Sequence, residues 1–142
     1  MLTVVLALAF VPAASAGLPN PCALLTNAEV AKALGSKIVS REPDRYHSCT
    51  WTGADLGGYY PAHRTLMVQV SSVTKAQFDK SARQTPGALP VRGIGQDAFA
   101  DTGHVPSLNV WQHGDALWIA ASLVNDPLQT AKLVAKIVVK RI

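Results

Sequence analysis

The sequence predicts an α+β domain, a largely antiparallel sheet packed with about three helices, with a weak helix-then-strands repeat of about 50 residues and one disulfide. Three observations carry this. Helix-start signals occur three times, the stretches between them alternate with a period of two, and two cysteines lie within the first half of the chain. A 15.0 kDa chain with 49% apolar residues has the material for one buried core, which excludes an intrinsically disordered protein.

The first element is a leader. Thirteen of the first sixteen residues are apolar and none is charged. Leu2 to Val11 form a short apolar run, Pro12 breaks it, and Ala14-Ser15-Ala16 supplies the small residues that a signal peptidase requires before Gly17. The run is shorter than the ~18 apolar residues of a membrane span. Residues 1–16 are therefore expected to be a cleaved signal peptide, and residues 17–142 a single α+β domain. Export places the mature chain in an oxidising compartment, where Cys22 and Cys49 allow one intramolecular pairing. Closing the 22–49 loop would stabilise the fold by roughly 3.5 kcal/mol. Asn20-Pro21 before Cys22 do not make a lipobox, and Leu18 follows Ser15-Ala16-Gly17 where a lipidated cysteine would stand. A product that is exported and not lipidated is expected, in the medium or the cell envelope.

The helices come next. Thr26 and Glu29 form a capping box, Leu25 and Val30 a hydrophobic staple, and Gly35 a stop, which sets helix one at about 27–34. The same grammar returns with Thr74 and Gln77 as the box and Val73 and Phe78 as the staple, setting helix two at about 75–84 before Pro86-Gly87. Asn125-Asp126-Pro127 opens helix three, about 127–139, on which Leu128, Ala131, Val134, Ala135 and Val138 make an apolar stripe.

Between the helices the period is two. His47, Cys49 and Trp51 alternate with Ser48, Thr50 and Thr52, while Leu66, Val68 and Val70 alternate with Met67, Gln69 and Ser71. Shorter strands are expected near 37–41 and 97–101. Residues 107–113 and 116–124 read as a hairpin around Gly114-Asp115, a turn that would place Trp111 directly opposite Trp118. That pair shares a face with Asn109, Ala120 and Ser122, and the more aliphatic face carries Leu108, Val110, Leu117 and Ile119.

Taken in order, three segments of the chain resemble a family of exported actinobacterial cell-envelope proteins, many of them lipoproteins. They are Asn20-Pro21-Cys22-Ala23-Leu24-Leu25-Thr26 leading into Leu34-Gly35, then Ser48-Cys49-Thr50-Trp51, then Val91-Arg92-Gly93-Ile94-Gly95-Gln96-Asp97-Ala98-Phe99. The resemblance covers about residues 20–140. It implies a secreted or envelope domain in which Cys22 and Cys49 pair, and it implies no reaction. The chain departs from the lipoprotein members by lacking the lipidated cysteine.

No constellation in the sequence selects a catalytic or metal site, and no cofactor is expected. Gly93-x-Gly95 follows Pro90 and leads into a strand, whereas a phosphate loop must open a helix; the glycines read as a turn. His47, His63, His104 and His113 have no metal spacing, and no Gly-x-Ser-x-Gly is present. A net charge of +4 invites a nucleic-acid reading that export opposes. Lys132, Lys136 and Lys140 recur every four residues, a solvated helix face able at most to make peripheral contact with an anionic envelope surface. The candidate binding surface is Trp111 and Trp118, with Tyr59 and Tyr60 of the 56–64 loop as further aromatic contacts. The expectation is a non-catalytic binding module whose partner is another protein or an envelope component. A secreted enzyme and a hydrolase inhibitor presenting the 56–64 loop are the alternatives.

Overall fold

The computed structural model describes residues 17–142; the expected leader, residues 1–16, lies outside the described residues. After a 3₁₀ turn, Pro21–Ala23, the elements follow as α1 Asn27–Leu34, β1 Ile38–Pro43, β2 Ser48–Asp55, β3 His63–Ser72, α2 Lys75–Gln84, β4 Leu89–Pro90, β5 Asp97–Asp101, β6 Ser107–Gln112, β7 Asp115–Ser122 and α3 Pro127–Val138. The α+β architecture, the antiparallel sheet, the three helices and the disulfide are as the sequence predicts.

All seven strands form one sheet in the order β1-β2-β3-β7-β6-β5-β4, antiparallel throughout. It consists of two meanders, β1-β2-β3 and β4-β5-β6-β7, joined at the centre by β3 against β7. Each meander follows a helix opened by a complete capping box, Thr26 with Glu29 in α1 and Thr74 with Gln77 in α2. The helix-then-strands repeat is thus real in chain order. It is broken in space, because α1 and α2 pack on opposite faces of the sheet.

The first face carries Cys49 and Trp51 of β2, Leu66, Val68 and Val70 of β3, Leu117 and Ile119 of β7, and Leu108 and Val110 of β6. α1 and α3 lie on it and complete a single core with Val30, Leu34, Ala131, Val134 and Val138. Cys22 and Cys49 form the disulfide, with a Cα–Cα distance of 5.1 Å, so the 3₁₀ turn before α1 is tied to the start of β2. A second tether closes the same end. Arg141 donates two hydrogen bonds to the Glu29 carboxylate, at 3.0 and 2.6 Å, and one to the Leu24 carbonyl.

Two local expectations are corrected, the β6–β7 turn and the place of His47. The β6–β7 turn is His113-Gly114 and not Gly114-Asp115, and both turn residues have positive φ, 51° and 93°, as a type I′ hairpin requires. Gln112 therefore pairs with Asp115, and Trp111 faces Ala116 while Trp118 faces Asn109. The two tryptophans keep a common face, because the shift conserves parity, but they are diagonal neighbours and not a facing pair. His47 has φ 56° and precedes β2 without belonging to it; its Nε2 lies 3.0 Å from the Pro19 carbonyl oxygen. The two-residue edge strand β4 ends in Pro90, which fits an edge because it has no N–H to offer a further strand.

Candidate functional site

The second face of the sheet is where polar and aromatic side chains meet. Pairing registers place Ser48, Gln69, Trp118, Asn109 and Phe99 in one row across five strands. The Trp118 indole thus stands between two side-chain amides, Gln69 on β3 and Asn109 on β6, at the ~5 Å spacing of cross-strand neighbours. Along β7 its neighbours on the same face are Ala116 and Ala120, too small to cover it.

α2 covers only one side of this row. Phe78 is buried against Phe99, with ring centroids 5.3 Å apart, and this contact seats the helix over β5. Towards β3 the helix leaves a groove of about 440 Å³, within the ~300–1,000 Å³ of small-molecule sites. Met67, Phe78, Phe99 and Trp118 supply its apolar wall; Gln69, Gln77, Ser71, Ser81 and Asn109 supply neutral polar groups. Among the described residues no ionisable side chain lines it. Gln69 donates to the Tyr46 carbonyl at 3.1 Å, and the carbonyl oxygen of Gln77 is held by the Thr74 cap, which leaves the Gln77 amide nitrogen facing outward from the capping box.

Trp111 has a different task. Its indole N–H donates to the Val73 carbonyl at 3.0 Å and so fixes the link between β3 and α2. Beside it Lys75 binds both Asp79 and Asp97, the latter at 2.8 Å, with its ammonium 6.0 Å from the Trp111 ring centroid. The hydrogen bond to Asp79, then that to Asp97, holds the Lys75 ammonium above the ordinary lysine range. One ammonium shared between two carboxylates leaves this cluster net negative.

The tyrosines lie elsewhere. Tyr59 and Tyr60, 93% and 76% exposed, touch edge to face in the β2–β3 loop, a loop held by Asp55, whose Oδ1 accepts from the Gly57 and Ala62 amides. Those bonds also hold the Asp55 carboxyl below its usual range, the Ala62 contribution being the largest. From Gln69 the strand runs six residues back to His63, about 20 Å at ~3.3 Å per residue, so the structure does not bring the tyrosines to the tryptophan row.

Among the described residues no group of three or more His, Cys, Asp or Glu is placed to hold a metal ion. His63 is spent on the Gly53 carbonyl, His113 makes the β6–β7 turn, and His104 sits in the exposed β5–β6 connection. Gly93 and Gly95 have φ 78° and 62°, and a Cβ on Gly95 would lie 2.5 Å from Val110 Cγ1, so this pair is a turn packed against β6. The lysine stripe of α3 is joined in space by Arg92, which with Lys132 and Lys136 borders a shallow cleft of about 260 Å³.

Met67, Gln69, Asn109 and Phe78 complete the groove around Trp118, and sequence reasoning did not assign them there. The available signal was parity. Met67, Gln69 and Ser71 alternate with the buried aliphatic set of β3, and Asn109 shares the tryptophan face of β6. No protein family, curated protein or solved structure matches this chain.

Proposed function

We propose that the protein is an exported, non-catalytic binding module of the cell envelope or medium, and that its binding site is the groove between α2 and the second face of the sheet. The observation that carries this reading is the Trp118 row: an indole flanked by two amides in a concave site lined without ionisable groups. Acid–base or nucleophilic chemistry needs a base and its orienting partner at the reacting atom, and the groove lining offers neither. An oxidised cysteine pair supports an extracytoplasmic setting. Among the described residues no helix is long and apolar enough to cross a membrane. The envelope-family resemblance points the same way.

The test is retention on an immobilised envelope fraction of the producing cells. Wild-type protein is expected to be retained and Trp118→Ala to flow through with its fold intact. A second reading, inhibition of a hydrolase, draws on the exposure of Tyr59 and Tyr60 on a loop braced by Asp55. Tyr59→Ala/Tyr60→Ala distinguishes the two: loss of retention in this variant, with Trp118→Ala still retained, selects the loop and rejects the groove.

A further inference from the structure

We infer that the ligand of the groove is a neutral carbohydrate, stacked on Trp118 and held at its rim by Gln69 and Asn109; this rests on the groove being the binding site. Three features of the site converge on that class.

The first is charge. A carboxylate, phosphate or ammonium ligand entering the groove would leave water for a lining with no counter-charge, and burying an unpaired charge is costly. Lys75, at the start of α2, is already bound to Asp79 and Asp97.

The second is the alternation of polar and aromatic groups. An acyl chain would cover the Asn109 amide, and the Gln69 amide oxygen beside the nitrogen already bound to the Tyr46 carbonyl, without giving them partners, at a desolvation cost for each. A pyranose ring has the opposite character. Its axial C–H groups form an apolar face for an indole, and its equatorial hydroxyls each donate and accept, as an amide side chain also does. The row places an amide on either side of the indole at cross-strand distance, where the rim hydroxyls of a stacked ring fall.

The third is room above the indole. Ala116 precedes Trp118 on its own face and lines the groove with it, Ala120 on the other side is buried, and α2 is seated two strands away by Phe78 on Phe99. The hydroxyls of Ser71 and Ser81 extend the polar rim.

The experiment is a ¹H–¹⁵N NMR titration of the disulfide-bonded domain with three defined probes: maltotriose, N,N′,N″-triacetylchitotriose and dodecanoate. The inference expects at least one trisaccharide to shift the Trp118 indole signal and the Gln69 and Asn109 side-chain amides, with Kd of about 1 mM or tighter, while the Trp51 indole stays in place. Asn109→Ala and Gln69→Ala should each weaken binding about tenfold. The unshifted Trp51 indole in each variant certifies that its core is folded. Shifts produced by dodecanoate alone would overturn the carbohydrate class and leave the groove as the site. Silence of the Trp118 row towards both trisaccharides also overturns the class. The groove itself falls only if Trp118→Ala is retained on the envelope fraction as well as wild type.

Discussion

The two faces of the sheet use the same kinds of residue for different ends. On the first face Trp51 is fully buried, paired with Leu66 across β3 and roofed by the α1–α3 layer. On the second face Trp118 lies in a comparable central position, but its cross-strand neighbours are Gln69 and Asn109 and its roof is a single helix set to one side. The difference lies in the covering layer. Two helices with apolar stripes turn one face into core, while one helix anchored through Phe78 leaves the other face concave and partly open. An aromatic side chain on a strand is therefore a core residue or a recognition residue according to what packs above it.

Substitutions on the two faces should diverge accordingly. Trp51→Ala leaves a large cavity in the core and should cost about 3–5 kcal/mol, read as a lower urea midpoint at nearly constant m-value. A loss below about 1 kcal/mol would mean that the first face is not the closed core described here. Replacing Cys22 and Cys49 together by serine should cost about 2–4 kcal/mol, with reductant having no further effect on that variant; two reactive thiols in the native protein would contradict the bridge.

The helix layer of the first face also carries an acid-sensitive tether. The Arg141 guanidinium first, and the Thr26 amide second, hold the Glu29 carboxyl down from 4.5 to about 2. Because the folded value is the lower one, the unfolded chain takes up the proton first. The stabilisation is complete above about pH 4.5 and is lost as pH falls towards 2. With Glu29 27% and Arg141 39% exposed, solvent screening holds the effect well below what the shift alone would give. Glu29→Gln should remove this part of the acid slope in chemical denaturation from pH 5 to pH 2; an unchanged slope would show that the pair adds nothing to stability.

On the second face the effects on stability should be smaller. Trp118→Ala is expected to cost about 1–2 kcal/mol, less than Trp51→Ala because Trp118 keeps part of its surface in solvent while Trp51 is fully buried, and Asn109→Ala to stay within about 0.5 kcal/mol of wild type. A loss of about 3 kcal/mol or more at Trp118 would reassign it to the core.

Much of this contrast was legible in the chain. Local chemistry spells the helices: Thr26 with Glu29 and Thr74 with Gln77 form reciprocal capping boxes, and Asp126 accepts from the Gln129 amide while Pro127, which has no N–H to satisfy, opens α3. Strand parity likewise separated Leu66, Val68 and Val70 from Met67, Gln69 and Ser71. What escaped was set at longer range. Identical capping boxes say nothing of which face a helix will cover, and that choice for α2 rests on Phe78 meeting Phe99, twenty-one positions later. The hairpin register turned on His113 accepting a left-handed conformation, a position where a glycine or asparagine would have announced the turn. Arg64 donating to the Leu34 and Gly35 carbonyls at the end of α1, and Arg141 reaching Glu29, join residues far apart in the chain and leave no periodic mark.

The most direct test of the groove as the binding site is the ¹H–¹⁵N spectrum of the whole domain before and after addition of the envelope fraction that retains it. The groove account predicts that the Trp118 indole and the Gln69 and Asn109 side-chain amides move together while the Trp51 indole stays fixed. Movement confined to the Tyr59–Tyr60 loop, or to Lys132 and Lys136 on α3, with the Trp118 row unchanged, would contradict it.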